Sequence, residues 1–250
     1  MKLSLDAAQS LVVGALLRSG VDAHNAASVA RALVSAEAAG QGGHGLRRVP
    51  AYSAQAKAGK VDGQVMPRAV SPRPSVLAID AMNGFAYPAL DLAVAELPEI
   101  AKAQGIAIAS IYRSHHAGVM GLTVERFAEQ GLAAMMFANA PASIAPWGGK
   151  KALYGTNPIA FSVPIAGGDP ITVDLAISKV ARGKIMAARQ KGEAIPDDWA
   201  FDLDGNPTTD AEVAMTGMMA PLGGAKGAAL AMMVEILSAG ITGANYAFEA

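Results

Sequence analysis

The stretch "SVLAIDAMNGFAYPALDLAVAELPEIAKAQGIAIASIY", residues 75–112, decides the fold class. "SVLAID" reads as a strand, and "YPALDLAVAELPEIAKAQG" reads as a helix perturbed at Pro98. "IAIASIY" is a continuous apolar run and reads as a buried strand. Downstream the rhythm persists. "GLTVERFAEQG" reads as a helix, "LAAMMFAN" as a strand, and "NPIAFSVP" and "PITVDLA" as two further strands. A helix is expected over 178–191, turn chemistry in "DLDGNPTTD", and a last helix over 224–239 with Gly223 and Gly224 at its mouth and Gly240 at its end. Strands alternating with helices at this spacing argue for an α/β fold.

Upstream the pattern is helical. Ser4 can cap a first helix with Leu11, Val12 and Leu16 on one face, ending near Gly20. Asp22 can cap a second, in which Ala26, Val29, Ala30, Leu33, Val34 and Glu37 follow the helical period until Gly40. A third begins at Pro50, a residue suited to the first turn, and runs to Gly59. Residues 61–74, rich in proline and turn residues, read as a linker. The expected division is therefore a helical region over 1–70 and an α/β domain over 71–250.

Composition narrows the function. Apolar residues make up 52% of the 250 and charged residues 16%, which suits a chain with a substantial core and argues against disorder. A net charge of −1, with its densest basic spots confined to residues 47–48 and 182–191, argues against nucleic acid as a partner. No cysteine occurs, so disulfides and thiol chemistry are excluded and a reducing compartment fits. The N-terminus has Lys2 as its one early basic residue and Asp6 interrupting its apolar run, so it does not read as a signal peptide. No run of about 18 apolar residues occurs, so neither is a membrane span expected. The expectation is a cytoplasmic protein.

Candidate chemistry is concentrated in five places. In "AEAAGQGGHGLRRVPAY", residues 36–52, glycines flank His44 and Arg48 follows four residues later. Histidine can exchange a proton near neutral pH, and a guanidinium forks onto a carboxylate. The same local sequence reads equally as a solvated surface loop. "IYRSHHAGVMG", residues 111–121, follows a strand and precedes a helix, where ligands of α/β sheets gather. His115 and His116 point in different directions on extended backbone, so one of them faces a site; no carboxylate accompanies them at metal-ligand spacing, and no metal is expected. "YGTNPIAFSVP" offers Thr156 and Asn157 before a strand. "DLAISKVARGKI" sets Asp174 at a strand end ahead of Arg182 and Lys184. "PLGGAKGAALAMMVEIL" brings glycines and Lys226 to a helix start, without the spacing of a Walker loop; a G-x-G-x-x-G fingerprint is also absent. The methionines at 215, 218, 219, 232 and 233 read as core filler.

Taken in order, "HGLRRVPAY", "SHHAG", "YGTNPIAF", "DLAISKVARGKI", "DDWAFDLDGNPTTD" and "PLGGAKGAALAMMVEIL" resemble the malate/L-lactate dehydrogenase type 2 family, which includes ureidoglycolate and sulfolactate dehydrogenases and Δ1-piperideine-2-carboxylate reductases. The resemblance runs from about residue 4 to residue 250. It implies an oxidoreductase using NAD or NADP on a small 2-oxo acid or 2-hydroxy acid. It also implies a non-classical nucleotide-binding sheet in the domain over 71–250, and a homodimer.

By that resemblance His44 is a proton donor and His116 a second acid–base group, and Arg48 clamps the substrate carboxylate. Thr156, Arg182 and Gly183 contact substrate, while Ala117, Gly118, Val119, Met120, Gly121, Asp174, Leu175, Ala176 and Lys226 line the cofactor. Reduction of a 2-oxo acid needs a hydride, a proton for the developing alkoxide and a cation on the carboxylate; His44 and Arg48 supply the last two.

Three departures from the family pattern stand out. Gly43 occupies a position where most relatives carry serine. Lys184 replaces the aspartate of the cyclic-imine reductases, which favours an oxo-acid substrate over an imine. The family also continues for roughly a further quarter of its usual length, so the C-terminal part of the family fold is expected to be absent. A non-catalytic homologue is the corresponding alternative.

Overall fold

The structure is a computed structural model that describes residues 2–249. Contacts divide the chain into two units, one of Met1–Ala134 with Phe161–Thr172, the other of Met135–Ala160 with Val173–Ala250. The division expected at residue 70 is therefore not where the contacts separate, because the N-terminal helices pack onto the helix that follows the first strands.

In the first unit, α1 (Leu5–Leu17) starts at Ser4, whose hydroxyl accepts from Ala7 N at 3.2 Å. Its buried face is Ala8, Val12 and Leu16, whereas Leu11 is 59% exposed, contrary to the expected face. Residues four apart stay on one stripe, and Leu11 lies off it. Helix α2 (Ala23–Ala38) is capped by Asp22 and buries Ala26, Val29, Ala30, Leu33 and Val34 as its period requires. A 3-10 turn at Leu46–Arg48 leads directly into α3 (Val49–Lys57).

The expected linker over 61–74 is ordered instead. Buried Asn25 donates to Gly63 O at 2.8 Å and Val65 O at 2.9 Å, bolting this segment to α2. It then forms β1 (Arg68–Arg73), antiparallel to β2 (Val76–Asp80). Pro72 is tolerated because β1 is an edge strand whose pairing slips between Val70 and Arg73.

Strand β2 pairs in parallel with β3 (Ile108–Tyr112), from Val76↔Ile108 to Asp80↔Tyr112, and α4 (Ala86–Gln104) makes the crossover. Leu77, Ile79 and Ala81 pack on Ala89 and Ala93 of α4 to form the core under this sheet. Pro98 is accommodated inside α4, and Gly105 ends the helix at φ 81°. Helix α5 (Met120–Ala128) follows. Asp91 of α4 accepts from Ser28 and Arg31 of α2 and, at 2.7 Å, from Arg126 of α5, tying three helices at one carboxylate.

The chain passes between units within β4 (Ala134–Phe137), β5 (Ile159–Ile165) and β6 (Gly168–Leu175), which form a three-stranded sheet in that order. In the second unit, α6 (Arg182–Lys191) begins four residues later than expected. The preceding backbone is committed elsewhere, since Leu222 N donates to Ile177 O at 2.7 Å and Lys179 N to Ala220 O at 2.8 Å. Two short strands, β7 (Ala200–Phe201) and β8 (Met218–Met219), pair antiparallel around α7 (Ala211–Thr216). Ile144, Ile185, Ile195, Ala200, Ala211, Ala214 and Met219 form the core here. Helix α8 (Ala225–Glu235) continues into a π-helical turn, Ile236–Gly240. Met218 and Met219 are buried as expected, but Met232 and Met233 are 45% and 41% exposed, so they are not core filler.

Burial alone would raise the Asp91 carboxyl, but the Ser28, Arg126 and Arg31 donors outweigh it and hold the pKa below its ordinary 3.8. Asp91→Ala is expected to cost about 1–3 kcal/mol after allowing for solvent screening, read as a lower urea midpoint at unchanged slope. A depressed carboxylate stabilises above its unfolded pKa. The difference between wild type and variant is thus full above 3.8 and vanishes as pH falls through the folded value.

Candidate functional site

In the first unit the site starts from the loop that leaves α2. The Glu37 carboxylate accepts from Leu46 N at 2.9 Å, and a Cβ on Gly45 would overlap Glu37 Oε2, so the close approach requires glycine at position 45. His44 N donates to Gln41 O at 2.8 Å, and Arg48 Nε donates to Gly43 O at 2.8 Å. Arg48 thereby closes the loop over which His44 is presented. A Cβ on Gly43 would meet nothing within 4 Å, so glycine is not a steric necessity there.

The second loop comes from the sheet. Parallel pairing brings the ends of β2 and β3 out side by side, and Asp80 fastens them: its carboxylate accepts from Met82 N at 2.9 Å and pairs with Arg113. Met82, Asn83 and Arg113 adopt φ values of 58°, 60° and 52°. Asn83 N donates to Arg113 O at 2.8 Å and His115 N to Gly84 O at 3.2 Å. These bonds hold His115 and His116 beyond the carboxyl ends of the strands, where α/β sheets place their ligands.

The two loops meet. The His44 ring stacks on that of His116, with centroids 5.2 Å apart and planes 12° from parallel. His116 Nδ1 lies 2.6 Å from Tyr52 Oη on α3, which lies 3.2 Å from Tyr87 Oη on α4. His115 turns the other way, its plane 76° from that of His116, with Nε2 3.0 Å from Gln55 Oε1 and its ring edge-on to Tyr52 and Phe85. As expected of adjacent histidines, the two rings diverge.

Burial governs the charges. It pushes His116 down to about 3, helped by the Arg48 cation, His44 and His115. Burial likewise lowers His115 to about 4, with Lys60 and Arg48 adding to it. Burial also raises the Tyr52 and Tyr87 phenols. Both adjacent histidines are neutral imidazoles at neutral pH, in the field of one guanidinium.

Ala117, Gly118, Val119, Met120 and Gly121 run from this cluster into α5, whose N-terminus has no side-chain cap. Gly118 sits at φ 73°, and a Cβ there would stand 2.5 Å from Tyr87 Oη. Glycine is thus required twice over. The first unit therefore gathers His44, Arg48, His116 and the 117–121 segment.

The remaining expected residues belong to the second unit. Thr156 O accepts from Ile177 N at 2.7 Å, which sets it beside the strand exit carrying Asp174, Leu175 and Ala176. Leu222 pairs with the same Ile177 just before α8, where Lys226 is exposed in the first turn. Arg182 opens α6 next to exposed Gly183, and its guanidinium donates to Met215 O at 2.9 Å. Buried Asn157 next to Thr156 adopts φ 38° and donates from Nδ2 to Ala231 O and to Glu235 Oε2, both at 2.8 Å. Glu235 Oε1 also accepts from Ala247 N at 2.7 Å and Asn139 Nδ2 at 3.1 Å. Among the described residues no group of three or more metal-ligating side chains is assembled, and no helix is long and apolar enough to cross a membrane.

A family model described as malate/L-lactate dehydrogenase matches residues 3–250. The chain belongs to that family. A (2R)-3-sulfolactate dehydrogenase (NADP(+)) of Chromohalobacter salexigens is 50% identical over 248 residues, covering 99% of this chain and 74% of that protein. A Δ1-pyrroline-2-carboxylate/Δ1-piperideine-2-carboxylate reductase of Pseudomonas syringae pv. tomato is 43% identical over 216 residues, covering 86% of this chain and 63% of that protein. The crystal structure of a Δ1-piperideine-2-carboxylate reductase from the same species superposes with a TM-score of 0.97 at 39% identity, over 100% of this chain and 76% of that one.

This malate/L-lactate dehydrogenase family chain also places residues that its sequence did not flag. Tyr52, Tyr87, Gln55 and Glu37 shape the cluster around the histidines. Tyr52 had a signal: Arg48, Tyr52 and Gln55 are spaced to share one helical face. Tyr87 had none, since its approach to Tyr52 is made by packing between helices distant in sequence.

Gly118→Ala forces a left-handed backbone and a collision with Tyr87 at once. The expected loss is about 1–3 kcal/mol in denaturant unfolding, and a variant as stable as wild type contradicts this account of the turn.

Proposed function

We propose that the protein is an NADP-dependent 2-hydroxy-acid dehydrogenase, interconverting a short 2-hydroxy acid and its 2-oxo acid as a cytoplasmic homodimer. The observation that carries the reading is the loop that presents His44 while Arg48 closes it, with His116 stacked on the His44 ring. In this reading Arg48 binds the substrate carboxylate through its free guanidinium nitrogens, a planar match that lysine lacks. His44 gives a proton to the alkoxide that develops on reduction and takes it back on oxidation. His116, kept neutral by burial, offers a hydrogen bond to the same oxygen rather than a mobile proton. Thr156, Arg182 and Gly183 complete the substrate contacts.

Bound NADP(H) supplies the hydride for reduction and accepts it on oxidation. The residues present fit such a group. The α5 and α8 N-termini lack side-chain caps, Gly118, Gly223 and Gly224 all have positive φ at those mouths, and Lys226 is exposed in the first turn of α8. Ala117–Gly121, Asp174–Ala176 and Lys226 would hold it, on a sheet of non-classical topology. NADP rather than NAD is supported by the cofactor of the Chromohalobacter relative. That relative's substrate also supports acids bearing a second anionic group, sulfolactate and malate before lactate. Reduction of a cyclic imine is the second reading, supported by the similarity to the Pseudomonas reductase and weakened by Lys184 on α6.

A panel of 3-sulfopyruvate, oxaloacetate, pyruvate and Δ1-piperideine-2-carboxylate, each with NADPH and NADH, tests this. The highest kcat/KM is expected for an oxo acid with NADPH. A higher value for the imine replaces the first reading with the second, and absence of NADPH binding by calorimetry to folded protein overturns both. His44→Ala is expected to lower kcat by at least about 10²-fold. Arg48→Ala should raise KM for the acid by about 10- to 100-fold, as befits loss of hydrogen bonds to a charged group, and Arg48→Lys should not restore it.

A further inference from the structure

We propose that Tyr52, backed by Tyr87, is a positioning residue that fixes the tautomer of His116, leaving its proton on Nε2 so that this ring meets the substrate oxygen as a hydrogen-bond donor. The proposal rests on the reading of His116 given above.

The argument is a count of protons. Tyr52 and Tyr87 are 2% and 6% exposed, so their hydroxyl protons need acceptors inside the protein. Two contacts are available to them, Tyr87 Oη to Tyr52 Oη at 3.2 Å and Tyr52 Oη to His116 Nδ1 at 2.6 Å. Among the described residues, Tyr87 Oη has no hydrogen-bond partner besides Tyr52.

If Tyr87 donates to Tyr52 and Tyr52 donates to His116, both protons are used and Nδ1 is the acceptor. If instead Nδ1–H donated to Tyr52, and Tyr52 to Tyr87, the Tyr87 proton would be left without an acceptor beside Gly118. If Tyr52 accepted from both neighbours, its own proton would be the orphan. One direction satisfies every group, and it makes Nδ1 bare and Nε2 protonated. The phenols support this direction, because burial raises both and keeps them as donors through neutral pH.

The neighbouring rings sharpen the assignment. His115 Nε2 faces Gln55 Oε1, which only accepts, so the His115 N–H is already spent within the protein. His116 Nε2 lies across its ring from Tyr52, and among the described residues it makes no hydrogen bond. Its N–H is the one the Tyr87–Tyr52 chain leaves for a ligand.

The test is nitrogen NMR on the full chain with ¹⁵N-labelled histidine. Four histidines are present, so the spectrum is sparse, and His116→Gln identifies the His116 signals. The expected wild-type result is one tautomer, with pyridine-type Nδ1 and pyrrole-type Nε2, through pH 5 to 8, a range above the His116 pKa of about 3. Tyr52→Phe, which keeps the ring packing, is expected to give a mixture of tautomers. It should lower kcat by about 10-fold or more while KM for the oxo acid changes by less than about 2-fold.

A proton on Nδ1 in wild type overturns the proposal, as does a Tyr52→Phe protein whose tautomer stays fixed. The wild-type spectrum decides by itself should the variant not fold. The spectrum needs no turnover. If it shows the expected tautomer while His116→Gln retains full activity, the tautomer lock stands and the catalytic reading of His116 falls.

Discussion

Parallel pairing of β2 with β3 is the constraint from which the rest of the first unit follows. Two parallel neighbours must release their chains at the same edge, so residues 81–84 and 113–116 emerge together. Asp80, the last residue of β2, then holds both exits by taking the Met82 amide and the Arg113 side chain. The strained backbone at Met82, Asn83 and Arg113 is tolerated because that carboxylate and the bonds between the two exits over-determine it. The histidine pair is carried to its place by the sheet rather than by any property of the histidines.

The loop between α2 and α3 reaches the same place by a different device. Glu37 reaches forward from the last turn of α2, Gly45 gives it room, and Arg48 ties back to Gly43. The His116 ring then stacks on that of His44 at that place. The cluster is basic in composition, yet two of its imidazoles are kept uncharged at neutral pH. Desolvation keeps His115 and His116 neutral, with the Arg48 cation beside both and Lys60 beside His115.

How much of this the sequence disclosed depends on the range of the signal. The strand–helix–strand of residues 75–112 was legible because period and length both change within it. The edge strand β1 was not, because prolines that mark linkers also mark edges. The late start of α6 was hidden for a similar reason: residues 177–179 are held extended by partners some forty residues away. Met232 and Met233 look like core by type and sit on an exposed face, since only packing decides which side of a nearly all-apolar helix is covered. His44 and Arg48 could be named from local pattern, which left His115 and His116 open until the family resemblance chose His116. Tyr52 shares a helical spacing with Arg48, but that Tyr87 joins them required tertiary structure.

Glu235 carries an implication for the order in which the chain acquires its shape. This enclosed carboxylate takes donors from Asn139, Asn157 and Ala247, so its hydrogen-bond partners span more than a hundred positions of the chain. Until residue 247 has been synthesised, one oxygen of Glu235 lacks its shortest partner, and the segment that holds Thr156 has an incomplete brace. The first unit, by contrast, takes its residues from positions up to Thr172. On the ribosome, the residues of the half bearing the histidines therefore emerge well before the amide at 247 that Glu235 awaits.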